Sequence, residues 1–187
     1  MESEQLEMFE ELMKRDEEIA RLEEEKSKLT LENMSMQKTI DTILRVKCKR
    51  GEGAFSLNVE LKPCIEKNAY EALDQGMKNM TTKPTDIVNQ VLLSTLVGLK
   101  GTDIPCAVLH NNPPIVVYKD HNIWVVKGVN EFSILYYKHM QPHVMRYSKE
   151  HVNDDTSDNQ MTVLNTLLNY HQFTSCLKQV LRMYKDY

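Results

Sequence analysis

Glycine and proline are scarce in this chain, six of each among 187 residues, and neither occurs before Gly51. That scarcity excludes collagen-like and Pro/Gly-rich low-complexity chains, and 41% hydrophobic residues is too many for wholesale disorder. No run of the ~18 apolar residues a membrane helix needs is present, so no membrane span is expected. The acidic N-terminus does not read as a secretory leader. Four cysteines, Cys48, Cys64, Cys106 and Cys176, stand far apart with no CxxC pair. Their spacing points to reduced thiols in a cytoplasmic setting. Phosphate-cradling GxxxxGK[ST] and GxGxxG loops, the GxSxG elbow and the HExxH zinc helix are also missing, and with them the usual sequence support for an enzyme. The carboxylates of Asp103, Asp120, Asp154, Asp155 and Asp158 fall at loop ends, where turn formation explains them without catalysis.

What is present divides unevenly. Residues 1–46 hold thirteen acids and seven bases, a balance of −6, so the remaining 141 residues carry +2 of the overall −4. The change falls at a basic stub, Arg45, Lys47, Lys49 and Arg50, followed by Gly51 and Gly53. Three parts are expected: a helix over 1–46, a basic linker over 47–53 and a globular domain over 54–187.

The N-terminal part is rich in Glu, Lys, Leu and Met, all strong helix formers. With Leu12 at heptad position a, Ile19 and Ile40 fall at a, while Met8, Leu22, Leu29, Met36 and Ile43 fall at d. This is the seam of a coiled coil over about five heptads, interrupted by Arg15 at d and by Lys26 and Asn33 at a. Polar a residues such as Asn33 weaken a seam but can fix its register and favour two strands. A helix this long spans ~65 Å and would project beyond a small domain, so an oligomerising coiled coil is expected. The alternative is a solvated helix lying on its own domain, since Leu6, Phe9, Met13, Leu31 and Met34 lie off the strict seam. Acidic g positions (Glu4, Glu11, Glu18, Glu25, Glu32) would meet Asp16 and Glu23 at e in a parallel homodimer. Salt screens that repulsion, which leaves a homo-oligomer open beside a hetero-coiled coil with a more basic partner.

In the globular part, Phe55, Leu57, Val59 and Leu61 alternate with polar residues, the period of a strand ended by Pro63. Helices are expected over 64–78 and, capped by Thr85, through Leu99. Cys106 to Leu109 reads as a strand, and Ile115–Tyr118 with Ile123–Val126 as a β-hairpin around Lys119–Asn122, anchored by Trp124. A helix capped by Asn130 should end or kink at Pro142. The polar run 148–160 reads as a loop, and 161–184 as one long amphipathic helix. Helices and short strands without regular alternation make the fold class α+β, a long N-terminal helix followed by a small domain with a β-hairpin flanked by helices.

Two constellations bear on chemistry. Cys106 and His110, with His139 and His143, offer one thiolate and three imidazoles at i, i+4 spacing, a donor set zinc accepts. Pro142 between the last two histidines counts against it, and a core cysteine with surface histidines is the simpler account, so no metal or cofactor is assigned. Arg45, Lys47, Lys49 and Arg50 form a compact basic cluster, and Lys138, Arg146, Lys149, Lys178, Arg182 and Lys185 add charge toward the C-terminal end, residues of the kind that track a nucleic-acid backbone. The globular part is only +2, and the −6 helix opposes such contact. Trp124, Tyr136 and Tyr137 could stack on bases, although core packing is their commoner use.

The segment Asp103-Ile104-Pro105-Cys106, continuing through Ile115-Val116-Val117-Tyr118-Lys119-Asp120 to Trp124, resembles a C-terminal region of uncharacterised proteins of nucleocytoplasmic large DNA viruses. The likeness covers Thr85 to Met145, about a third of the chain. It implies a viral protein of the infected cell's cytoplasm or the virion, and it supplies no catalytic residue. The expectation is therefore a non-enzymatic assembly or adaptor protein that oligomerises through Leu12, Ile19, Leu22, Leu29, Asn33, Met36, Ile40 and Ile43. A nucleic-acid-binding accessory protein comes second, and a zinc-organised module or enzyme third.

Overall fold

The computed structural model describes residues 2–47, 57, 59–78, 83–109 and 114–184, with side chains over 7–40 in the first stretch. The chain divides into two units, Met1–Phe55 and Ser56–Tyr187. The first contains a single uninterrupted helix, α1 (Glu2–Lys47). The second is α+β, with helices α2 (Leu61–Lys78), α3 (Pro84–Val97), α4 (Val129–His151), α5 (Asp158–Leu168) and α6 (Tyr170–Met183), and strands β1 (Cys106–Leu109), β2 (Ile115–Asp120) and β3 (Ile123–Gly128) between α3 and α4.

The strands form an antiparallel sheet in the order β1-β2-β3. Cys106 pairs with Tyr118 across β1 and β2, and Lys119 with Trp124 across β2 and β3. The hairpin is tighter than expected, because Lys119 and Asp120 belong to β2 and only His121 and Asn122 turn. Both have positive φ, 48° and 62°, the left-handed pair that matches strand twist in a two-residue loop. Glu60, just before α2, fixes this turn by accepting the Asn122 N–H at 3.0 Å. Cys106, Val116 and Tyr118 share the sheet face that meets the core. Trp124 is only half-buried, on the opposite face, with the Lys119 ammonium 4.6 Å above its ring. It is therefore not the anchor of the domain.

That role falls to a line of rings through the core, Tyr118 on β2, Phe132 and Tyr136 on α4, and Phe173 on α6, with successive centroids 5.7, 6.0 and 5.9 Å apart. Tyr136 donates its hydroxyl hydrogen to the Leu92 carbonyl at 3.2 Å, so this buried polar group is satisfied. Helices α2 and α3 pack closely because Gly76 has no side chain. A Cβ there would lie 2.5 Å from Val91 Cγ2.

After α3 the chain turns through Gly98, whose φ of 69° and ψ of 164° suit glycine alone. This brings the buried Asp103 back against α2, where it accepts hydrogen bonds from Asn68 Nδ2 at 2.8 Å and Lys67 Nζ at 3.3 Å. Its own N–H donates to the Val97 carbonyl at 2.9 Å. Asp103 is thus a staple for the α3–β1 connection.

Several boundaries differ from the expected ones. Residues 54–56 and 58 of the expected strand lie outside the described residues, and Leu61 starts α2 instead of ending a strand. Pro63 is accommodated because it falls in the first turn of α2, where no intrahelical N–H is needed. Pro84, not Thr85, opens α3, with Lys83 at the N-cap, and Gly128, not Asn130, is the N-cap of α4, with no side-chain cap. Pro142 does not stop α4. Its ring faces solvent, so water can satisfy the Lys138 carbonyl it leaves without a donor, while Phe132, Tyr136, Met140, Val144 and Tyr147 hold both halves of the helix in the core. The expected loop over 148–160 shrinks to 152–157. Ser157 and Gln160 form a capping box that starts α5. Finally, the single C-terminal helix is two, broken at Asn169, whose side chain accepts the Gln172 N–H at 3.1 Å to cap α6.

Candidate functional site

Helix α1 continues for 46 residues because nothing in its sequence breaks it. Its seam residues Met8, Leu12, Ile19, Leu22, Leu29 and Met36 are each at least 50% exposed. Ile40 is less exposed, and the side chain of Ile43 lies outside the described residues. Two of the three polar interruptions, Arg15 and Asn33, are tied down within the helix. Arg15, at d, reaches back to Glu11 Oε1 at 2.8 Å, and Asn33, at a, accepts a hydrogen bond from Gln37 Nε2 at 3.2 Å. Arg21 pairs with Glu18 at 2.7 Å. Each such pair contributes only a few tenths of a kcal/mol to an exposed helix. Leu22, Glu25, Lys26, Leu29, Thr30 and Asn33 line a shallow groove along the middle of the seam.

The three described zinc-ligand candidates, Cys106, His139 and His143, do not converge on one point. Cys106 is fully buried on the core face of β1 and hydrogen-bonded to Tyr184, and burial pushes its thiol up to about 12. His139 and His143 are half-buried on α4, and His110 lies outside the described residues. Desolvation lowers the His139 pKa, assisted by Lys62. Among the described residues the three potential donors that do converge are Glu60, Asp120 and His121, within 4.8 Å of one another at the hairpin turn. Glu60 accepts the Asn122 N–H there, and Asp120 and His121 are exposed beside it, so the hairpin turn explains the cluster. Cys64 is likewise buried, and desolvation, then the Asp103 charge, raises its thiol to about 12. Both thiols are protonated at neutral pH and lack nucleophilic character.

Of the basic cluster, Lys47 is the last residue of α1 and its side chain is not described, while Lys49 and Arg50 lie outside the described residues. Tyr136 is fully buried, and the Tyr137 hydroxyl donates to the Leu168 carbonyl at 2.6 Å while its ring packs on Phe173. Neither is available to stack on a base.

One feature escaped sequence reasoning. An open cleft of about 550 Å³ forms where β1, the β3–α4 junction and α6 meet, with Val108, Val129 and Leu181 as apolar wall. Lys178 and Arg182 on α6 line it opposite the start of α4. Only their i, i+4 spacing is visible in the sequence; the facing wall comes from residues about fifty positions earlier.

Among the described residues no helix is long and apolar enough to cross a membrane. In comparisons with known proteins, the chain matches no family model, no curated protein and no solved structure.

Proposed function

We propose that the protein is a non-enzymatic assembly or adaptor protein in which α1 joins chains and the α+β unit offers a second binding surface. The observation that carries this reading is the apolar seam of α1, at least half exposed from Met8 to Met36 on a helix of 46 residues. A helix within a protein gains most of its stability from packing an apolar face, so a helix that keeps this face in water is incomplete. Joining two α+β units through α1 would multiply weak contacts by avidity. Following the resemblance to proteins of large DNA viruses, such an assembly protein would act in the infected cytoplasm or the virion.

Sedimentation of the full chain at tens of micromolar tests the reading. A multiple of the 21.8 kDa chain mass is expected, falling to the chain mass when Leu22 and Leu29 are both changed to Glu. A monomer at every concentration would refute it.

A further inference from the structure

The charge of α1 is polarised along its length, not only across its faces. Residues 2–25 contain eleven acids and three bases, a balance of −8, whereas residues 26–47 contain two acids and five bases, a balance of +3. A second copy laid parallel and in register sets the −8 half against itself. It also places Arg15 opposite Arg15 and Lys26 opposite Lys26 inside the seam, and Glu11 beside Asp16 and Glu18 beside Glu23 at its rim. Like charges in the core layers of a coiled coil are a strong device against that pairing.

Reversing the second copy removes these clashes in one register. When the numbers of opposed residues add to 48, every a position meets a d position, and the overlap runs over nearly all of α1. Leu12 then meets Met36, Ile19 meets Leu29, and Ile40 meets Met8. Arg15 faces Asn33 instead of a second arginine, and Lys26 faces Leu22. The groove lined by Leu22, Lys26, Leu29 and Asn33 receives Ile19 and Leu22 of the other copy. Each acidic half lies along a basic half. The remaining like-charge neighbours, Glu18 with Glu32 and Glu25 with Glu25 on one edge and Glu23 with Glu23 on the other, stand at exposed rim positions where salt screens them.

We infer that α1 pairs with α1 of a second copy as an antiparallel, fully overlapping dimer, Leu12 against Met36 and Ile19 against Leu29. The inference rests on the oligomerisation reading above and adds its partner and polarity. The two Lys47 ends are then ~70 Å apart, at opposite ends of the rod.

Pulsed dipolar spectroscopy on the full chain decides between the arrangements. Spin labels go on Glu10→Cys or Glu24→Cys, both exposed and on the outer side of the heptad, in a Cys48→Ser background. Cys64, Cys106 and Cys176 are buried and escape labelling. Sedimentation of the labelled proteins is measured alongside. The antiparallel dimer predicts labels at residue 24 about 20 Å apart and labels at residue 10 about 45 Å apart, from 1.5 Å rise per residue and a two-helix width. A dimer with both distances near 20 Å is parallel; it overturns this inference and leaves oligomerisation standing. A labelled protein that sediments as a monomer overturns both.

Discussion

The two units of this protein make helices by different means. In Ser56–Tyr187 five helices and a three-stranded sheet enclose a common core, and residues such as Ile65, Val91, Phe132, Val144 and Phe173 are removed from water altogether. In α1 the large apolar residues from Met8 to Met36 are at least half exposed, and the contacts within the helix are pairs three or four residues apart. The contrast separates two sources of stability. One is burial between elements of the same chain, about 1.5–3 kcal/mol for each large side chain. The other is local propensity, worth tenths of a kcal/mol per pair, which makes a helix without giving it a place to rest. The first unit is therefore the one that the proposed pairing would complete.

The comparison can be broken by perturbing one unit and reading the other. The largest effect is expected from Phe132→Ala, which empties the middle of the aromatic line and should cost about 3–5 kcal/mol of the globular unit's stability. Chemical denaturation followed by near-ultraviolet dichroism reads this loss, and self-association through α1 should persist. Next comes Gly98→Ala. Its φ of 69° and ψ of 164° strain any side chain, and a Cβ would sit 2.9 Å from Asp103 Oδ2, so about 1–3 kcal/mol should be lost. Denaturant midpoints for this variant and for Asp103→Asn check whether the cost runs through the same staple.

Stability should also depend on pH. The Cys64 and Cys106 thiols rise from an ordinary 9.0 to about 12 in the folded unit. Unfolded, they release protons above pH 9, while the folded state keeps them. The stability they contribute is therefore full below pH 9 and lost as pH climbs from 9 toward 12. Denaturant midpoints across that window should fall, and Cys64→Ala with Cys106→Ala should flatten the slope. Smallest of all is Glu11→Gln, which removes the partner of Arg15 on α1. About 0.3–0.5 kcal/mol of helix stability should go, visible in far-ultraviolet dichroism at low salt and fading as salt is raised.

The long helix was legible from the absence of glycine and proline and from the heptads, because both signals are local and uninterrupted. The hairpin was legible for the same reason, although its turn residues were set too wide: His121 and Asn122 adopt positive φ without glycine, and Asn is the one hint of it. Pro142 misled because a proline's cost on an exposed helix face is outweighed by burial on the opposite face, and burial is not visible in a local window. The capping box of Ser157 and Gln160 and the cap by Asn169 were present in the sequence and were masked by polar residues in one case and by continuing apolar ones in the other. The Asn68–Asp103 staple joins residues 35 positions apart and has no sequence signature. Of α1, the heptad seam could be read directly, whereas its exposure required the structure.

The central claim is that α1 is held by another chain and the globular unit by itself. Thermal unfolding of the full chain over about a hundredfold range of concentration, followed by far- and near-ultraviolet dichroism together, tests it most directly. The account predicts that the α1 transition, seen in the far-ultraviolet signal, moves to higher temperature as concentration rises, while the near-ultraviolet transition of the globular unit stays fixed. An α1 transition independent of concentration would contradict it.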